Sequence, residues 1–369
     1  MLPACEIEDD PQRKSIGPPD MEAVRVYESN RIEIYTQPNT AFCRGDGARM
    51  DAHVDRLVAK FGAEPPRVPV YVVPDDWGES IADWCFGSFN TLAGCFQPWV
   101  IMSKFWAVPH ELNHVVLEAL NNNRNVRGAS LFWFEAYAST WETDASARRI
   151  KGLPEQSTWA AYRTADHLIR WLEDIRGPAA VRDFYAALGR DWEPEEVEAA
   201  FVEIFGMSYA QALERYQTQA PLLYPGFGWC EDVELIELGL GTTRFELRFD
   251  CEAADTYALA DFPAGGMYLR RVLRLERPSE LRIESSRELG VLKRHPCLER
   301  PIEAEDDLRL ADSAWFEARR GASMESVSII EAVPAGDNLI EFVVPLGEPV
   351  EVEVRVRAKP LESAGSGHQ

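Results

Sequence analysis

The period of the hydrophobic positions changes along this chain, and the changes divide it into parts. Near the start, Arg31-Ile32-Glu33-Ile34-Tyr35 alternates like a strand, and Met50, Val54, Leu57, Val58 and Phe61 recur at helical spacing. Val68-Pro69-Val70-Tyr71-Val72-Val73 reads as a second strand, so 23–105 is predicted to be a mixed α/β part. Helical periodicity then dominates 106–229. Beyond a first helix near residue 108 it predicts helices over 131–150, 157–176, 178–189, 194–205 and 208–218, until the stretch from Pro221 to Trp229 breaks the pattern. From about Val233 to Val356 the segments are short and alternating. Those around Phe245, Met267, Leu281 and Leu339 and from Val350 to Val356, with Gly, Pro and Asp turns between them, predict an all-β sandwich over 230–358. Residues 1–22 are polar and Pro-rich and read as a tether or disordered lead, and 359–369 as a flexible tail. The expected class is α+β, with a small sheet and a helical part followed by the sandwich.

The chemistry concentrates in Val108-Pro109-His110-Glu111-Leu112-Asn113-His114-Val115-Val116. His110 and His114 are four residues apart, so on a helix their imidazoles stack on one face and reach one metal ion. Glu111 then sits beside the metal-bound water, as a general base requires. Pro109 suits a first helical turn, and Leu112, Val115, Val116, Ala119 and Leu120 make an apolar stripe. The Asn121-Asn122-Asn123 run and Gly128 are expected to end the helix. Leu117 and Leu120 stand where an extended motif would need Gly and a third His, which excludes that class. The candidate third ligand is Glu135, within Leu131-Phe132-Trp133-Phe134-Glu135-Ala136-Tyr137-Ala138, a stretch apolar enough to bury a carboxylate that a zinc ion would partner.

His110-Glu111-x-x-His114 followed by Glu135 inside Phe-x-x-Glu-Ala-x-Ala resembles the gluzincin metallopeptidases, in particular the bacterial peptidase-MA-like group. Tyr162-x-x-Ala165-x-x-Leu168-x-x-x-Leu172 and the later Ala200-Phe201 and Phe205-Gly206-Met207-Ser208 are similar to the segments that group carries downstream of its zinc helix. Ala136 stands where the family usually has Gly. The resemblance covers about residues 105 to 220. It implies a zinc peptidase domain over 23–229, with Zn2+ held by His110, His114 and Glu135 and Glu111 as general base. A peptide or protein would be the substrate, its backbone paired with the edge of the sheet. Gluzincins also use a Tyr or His to stabilise the oxyanion, which points to Tyr162 and, behind it, His167. A second reading keeps the fold without turnover, as an exported binding protein or lipoprotein.

The net charge of −23 argues against nucleic acid and against electrostatic docking on anionic lipid. No stretch is long and apolar enough to span a membrane. Cys5 in Leu2-Pro3-Ala4-Cys5 resembles the end of a lipoprotein signal, so any membrane association is expected through a lipid anchor there. The other six cysteines, Cys43, Cys85, Cys95, Cys230, Cys251 and Cys297, suit three disulfides in an exported protein, with the pairing open and Cys85–Cys95 one candidate that would close a loop. Arg44-Gly45-Asp46 reads as a turn leading into the first helix, and Glu303-Glu305-Asp306-Asp307 as a solvated loop, since it lacks calcium-loop spacing. Oligomeric state is not legible. No Gly-x-Ser-x-Gly elbow supports a serine hydrolase.

Overall fold

A computed structural model describes residues 21–73, 94–97, 99–120, 131–142, 147–149, 162–188, 194–228, 230–239, 241–259, 265–298, 300–305 and 325–361. Residues 1–20, Cys5 among them, the loop around Cys85, Asn121 to Gly128 and Trp159 lie outside them. The chain is mixed α+β and divides into two units. One holds the described residues up to Thr40 with Met50–Phe227; the other holds Ala41–Arg49 with everything from Gly228 onward.

In the first unit a five-stranded sheet has the order β1-β2-β3-β5-β4. Its strands are β1 (Val24–Glu28), β2 (Ile32–Thr36), β3 (Val68–Val73), β4 (Gly94–Gln97) and β5 (Val100–Lys104). β2, β3 and β5 run parallel, while β1 and β4 pair antiparallel at the two edges. The alternation legible in β2 and β3 is real, since Ile32, Ile34, Val68 and Val70 are buried and the residues between them less so, until Val72 and Val73 are both buried at the end of β3. Cys95, expected in a loop, lies instead in the edge strand β4, whose four residues are too few to show a period.

The helix predicted between β2 and β3 is α1 (Arg44–Phe61), with Met50, Val54, Leu57 and Phe61 buried as their spacing requires. A 3₁₀ turn (Phe105–Ala107) leads from β5 into α2 (Val108–Leu120). Then come α3 (Leu131–Thr140), the short β6 (Ala147–Arg148), α4 (Tyr162–Arg176), α5 (Pro178–Ala187), α6 (Pro194–Phe205), α7 (Tyr209–Gln219) and β7 (Leu223–Tyr224), which pairs with β6. The expected helix over 131–150 is shorter, because after Thr140 the chain turns and Arg148 joins a ladder with Leu223. α7 starts where a capping box predicts: Ser208 Oγ accepts from Gln211 N–H while the Gln211 side chain accepts from Ser208 N–H. Such a cap contributes about 1 kcal/mol. Leu168, Trp171 and Leu172 of α4 and Phe201 and Phe205 of α6 form the aromatic-rich core predicted for this region.

In the second unit the strands are β8 (Leu235–Leu238), β9 (Thr242–Phe249), β10 (Thr256–Leu259), β11 (Gly266–Leu275), β12 (Ser279–Pro296), β13 (Glu325–Val333), β14 (Gly336–Pro345) and β15 (Val350–Pro360). All-β architecture is as expected, and the eight strands belong to one continuous sheet. The reason is β12. Its first half pairs with β15 and β13 and its second half with β14, so one long strand carries the sheet through a change of partners. Leu247, Phe249, Leu269, Leu281, Ile283, Phe342, Val352 and Val354 share a single core. β15 also runs to Pro360, two residues into the expected tail.

Two disulfides lie in this unit, Cys43–Cys251 and Cys230–Cys297. Cys95 is disulfide-bonded as well. Bonds of this kind suit a non-reducing compartment. Among the described residues no helix is long and apolar enough to cross a membrane. Arg44-Gly45-Asp46, expected as a turn leading into the helix, is itself the first turn of α1. Asp46 is 2 % exposed, and Gly45 packs so tightly that a Cβ there would lie 2.8 Å from the carbonyl carbon of Thr256.

Candidate metal centre

The motif forms the first two turns of α2, immediately after the 3₁₀ turn that leaves β5. Val108, Leu112, Val115, Val116 and Leu117 are all buried, which fixes the rotation of the helix. That rotation presents His110 and His114 to α3, from which Glu135 meets them. His110 Nε2 lies 3.1 Å from His114 Nε2 and 3.0 Å from Glu135 Oε2, and His114 Nε2 lies 3.7 Å from the same carboxylate oxygen. Ligand atoms around a tetrahedral ion with bonds of about 2.0–2.1 Å are separated by roughly 3.3 Å, and these three fit that spacing. The group can hold a metal ion.

The tautomers agree. His110 Nδ1 is 2.7 Å from Glu142 Oε1, an atom that only accepts, so Nδ1 carries the hydrogen and the lone pair of the neutral ring is on Nε2, aimed at Glu135. His114 is clamped between two aromatic faces, Phe134 at 3.9 Å and Phe96 of β4 at 6.4 Å between ring centres. Two ring nitrogens and a carboxylate oxygen thus converge on one point, an arrangement that can hold a cation. In the metal-free groups burial opposes charge on His110, yet its hydrogen bonds to Glu135 and Glu142 hold its pKa well above the ordinary imidazole value. Burial likewise opposes charge on Glu135, but the adjacent His114 and His110 hold its carboxyl far below the usual range.

The site is closed on one side and open on the other. His114 retains 2 % of its side-chain surface, whereas His110 retains 19 % and Glu135 22 %. Glu135 was expected to be buried; it is half-buried, as a ligand at a site that solvent reaches must be. Glu111 is buried beside the edge strand. A Cβ on Gly94 would lie 2.9 Å from Glu111 Oε1 and 2.8 Å from Ser103 Cβ, so the missing side chain of Gly94 makes the space that the carboxylate uses. Because Gly94 and Phe96 share one face of β4, the strand touches the base with one residue and the second histidine with the other.

Of the remaining predicted residues, the side chain of Tyr162 lies outside the described ones, and His167 does not join the site. His167 is fully buried, its Nδ1 is 2.8 Å from Tyr216 Oη, and burial pushes its pKa down to about 3. Tyr137 points away, as its position on α3 predicts, and donates to Val181 O. Sequence reasoning missed Glu142, Gly94 and Asn113. Glu142 follows the turn that ends α3 and Gly94 acts by lacking a side chain, so neither carries a pattern. Asn113, a polar residue next to Leu112 inside the motif, was the one signal to be had. Comparison with known proteins finds no family model and no curated protein that matches the chain.

Proposed function

We propose that the chain is a zinc-dependent peptidase of gluzincin type. The observation that carries this reading is the convergence of His110, His114 and Glu135 within 3.0–3.7 Å, with a carboxylate, Glu111, next to the first ligand. His110, His114 and Glu135 would hold the ion, which when bound supplies Lewis acidity that polarises a carbonyl and acidifies water. Zinc is favoured by the His2Glu donor set, which is that of catalytic zinc sites with one position left open.

In this reading Glu111 takes the proton of the attacking water and delivers it to the nitrogen of the leaving amine. The cleft that Gly94 leaves keeps the Glu111 carboxylate in place, and Glu142 fixes the tautomer and ring orientation of His110. The outer edge of β4, the last strand in the sheet order, is the backbone on which an extended peptide substrate would align. Tyr162 remains the candidate for oxyanion stabilisation. The disulfides are compatible with an exported enzyme.

The test is Glu111→Gln, assayed on a peptide library with zinc content measured alongside. The expected result is a loss of about 10²- to 10⁴-fold in turnover with zinc retained. Wild-type cleavage by the variant would show the mechanism to be wrong.

A further inference from the structure

Asn113 lies between the two histidine ligands of α2 and is fully buried. An amide removed from water is costly unless all its polar atoms are bonded, and both ends of this one are. Its Nδ2 donates to the backbone carbonyl of Ala138, three residues past Glu135 on α3. Its Oδ1 lies 2.8 Å from Nε2 of His53 on α1, itself 1 % exposed. The directions are fixed by chemistry. A carbonyl can only accept, so the amide nitrogen faces Ala138, the amide oxygen faces His53, and His53 carries its hydrogen on Nε2.

This amide therefore joins the two helices that carry the metal ligands and is itself steadied from a third. The bonds of Asn113 tie α2 to α3 independently of the ligand atoms themselves, which meet at 3.0–3.7 Å. We infer that Asn113 and His53 are positioning residues of the metal centre, a hydrogen-bonded clamp that presets the spacing of the two ligand helices before the ion binds. The inference rests on the metal reading above and adds to it two residues that touch neither ion nor substrate. Second-sphere partners that orient ligands in this way typically set metal affinity by ten- to a hundredfold.

The experiment measures zinc affinity of the metal-stripped full chain by competition with a chromogenic chelator, together with the visible spectrum of the cobalt(II) form. The proteins are wild type, His53→Phe, His53→Gln and Asn113→Asp. The clamp predicts that His53→Phe and Asn113→Asp each lose about tenfold or more in affinity and shift the cobalt bands, while His53→Gln, which keeps a donor, stays within about threefold of wild type. Asn113→Asp tests the other half of the clamp, because it still accepts from His53 but cannot donate to Ala138. A residue that only packs would lower the melting temperature of the metal-free protein and leave affinity and spectrum unchanged. Wild-type affinity and spectrum in both His53→Phe and Asn113→Asp overturn the clamp with the metal site intact. A wild type that takes up neither zinc nor cobalt overturns the metal reading and the clamp with it.

Discussion

Glu135 and Asp46 are both carboxylates largely withdrawn from water, and the two units of the chain treat them in opposite ways. Glu135, in the first unit, faces two imidazoles, and their proximity outweighs burial and keeps it ionised. Asp46, in the second, feels a cation only as the smallest of the influences on it, from Arg49. Its Oδ2 accepts from the backbone N–H groups of Cys43 and Ala258, each at 2.9 Å, and burial still pushes its pKa up to about 7. Other buried charges of the second unit meet opposite charges, as Arg271 meets Glu234 and Asp255. The contrast separates a site from a scaffold. Where buried polar groups cancel one another, nothing further is needed; where two imidazoles and a carboxylate converge, the group can hold a metal ion.

That contrast can be sharpened from the metal side first. Glu142→Ala removes the acceptor that orients His110 without removing a ligand, and zinc affinity, read by chelator competition, is expected to fall about ten- to a hundredfold. An unchanged affinity would mean that His110 is held by packing alone. Next is Gly94→Ala, which pushes a methyl group against the Glu111 carboxylate. A displacement approaching 1 Å is expected to lower turnover by at least about tenfold with zinc content unchanged. Loss of zinc in that variant would place the strain on the ligands instead of the base.

The smallest effect concerns Asp46 and is read as stability against pH. Its folded pKa of about 7 exceeds its unfolded value of 3.8, so folding favours the protonated acid. The associated stability is fully present below about pH 3.8 and is lost as pH rises through 7. Relative to Asp46→Asn, wild type should lose up to about 1.4 kcal/mol per pH unit across that window, measured by chemical denaturation at several pH values. Parallel curves for the two proteins would show that the backbone donors keep Asp46 ionised.

How much of this was legible in the sequence depends on whether the determinant is periodic. The cluster of His110, His114 and Glu135 was, because the two histidines are related by a helical turn and Glu135 lies in an unusually apolar segment. The strands β2 and β3 and helix α6 were legible for the same reason. The single sheet of the second unit was not. Ser285-Ser286-Arg287-Glu288 looks like a turn between strands, whereas β12 continues through it, because those polar residues sit at the change of partner from β15 to β14 and three of them face water. Glu142 and the His53–Asn113 pair are contacts across 32 and 60 residues, set by packing of helices that no local pattern encodes.

The central claim is that the convergence of His110, His114 and Glu135 binds zinc. It is tested most directly by metal content per chain, measured by elemental mass spectrometry on wild type and Glu135→Ala prepared in parallel without chelator. The account predicts one zinc per wild-type chain and a large loss in the variant. A folded wild type that carries no zinc even after zinc is added would contradict it.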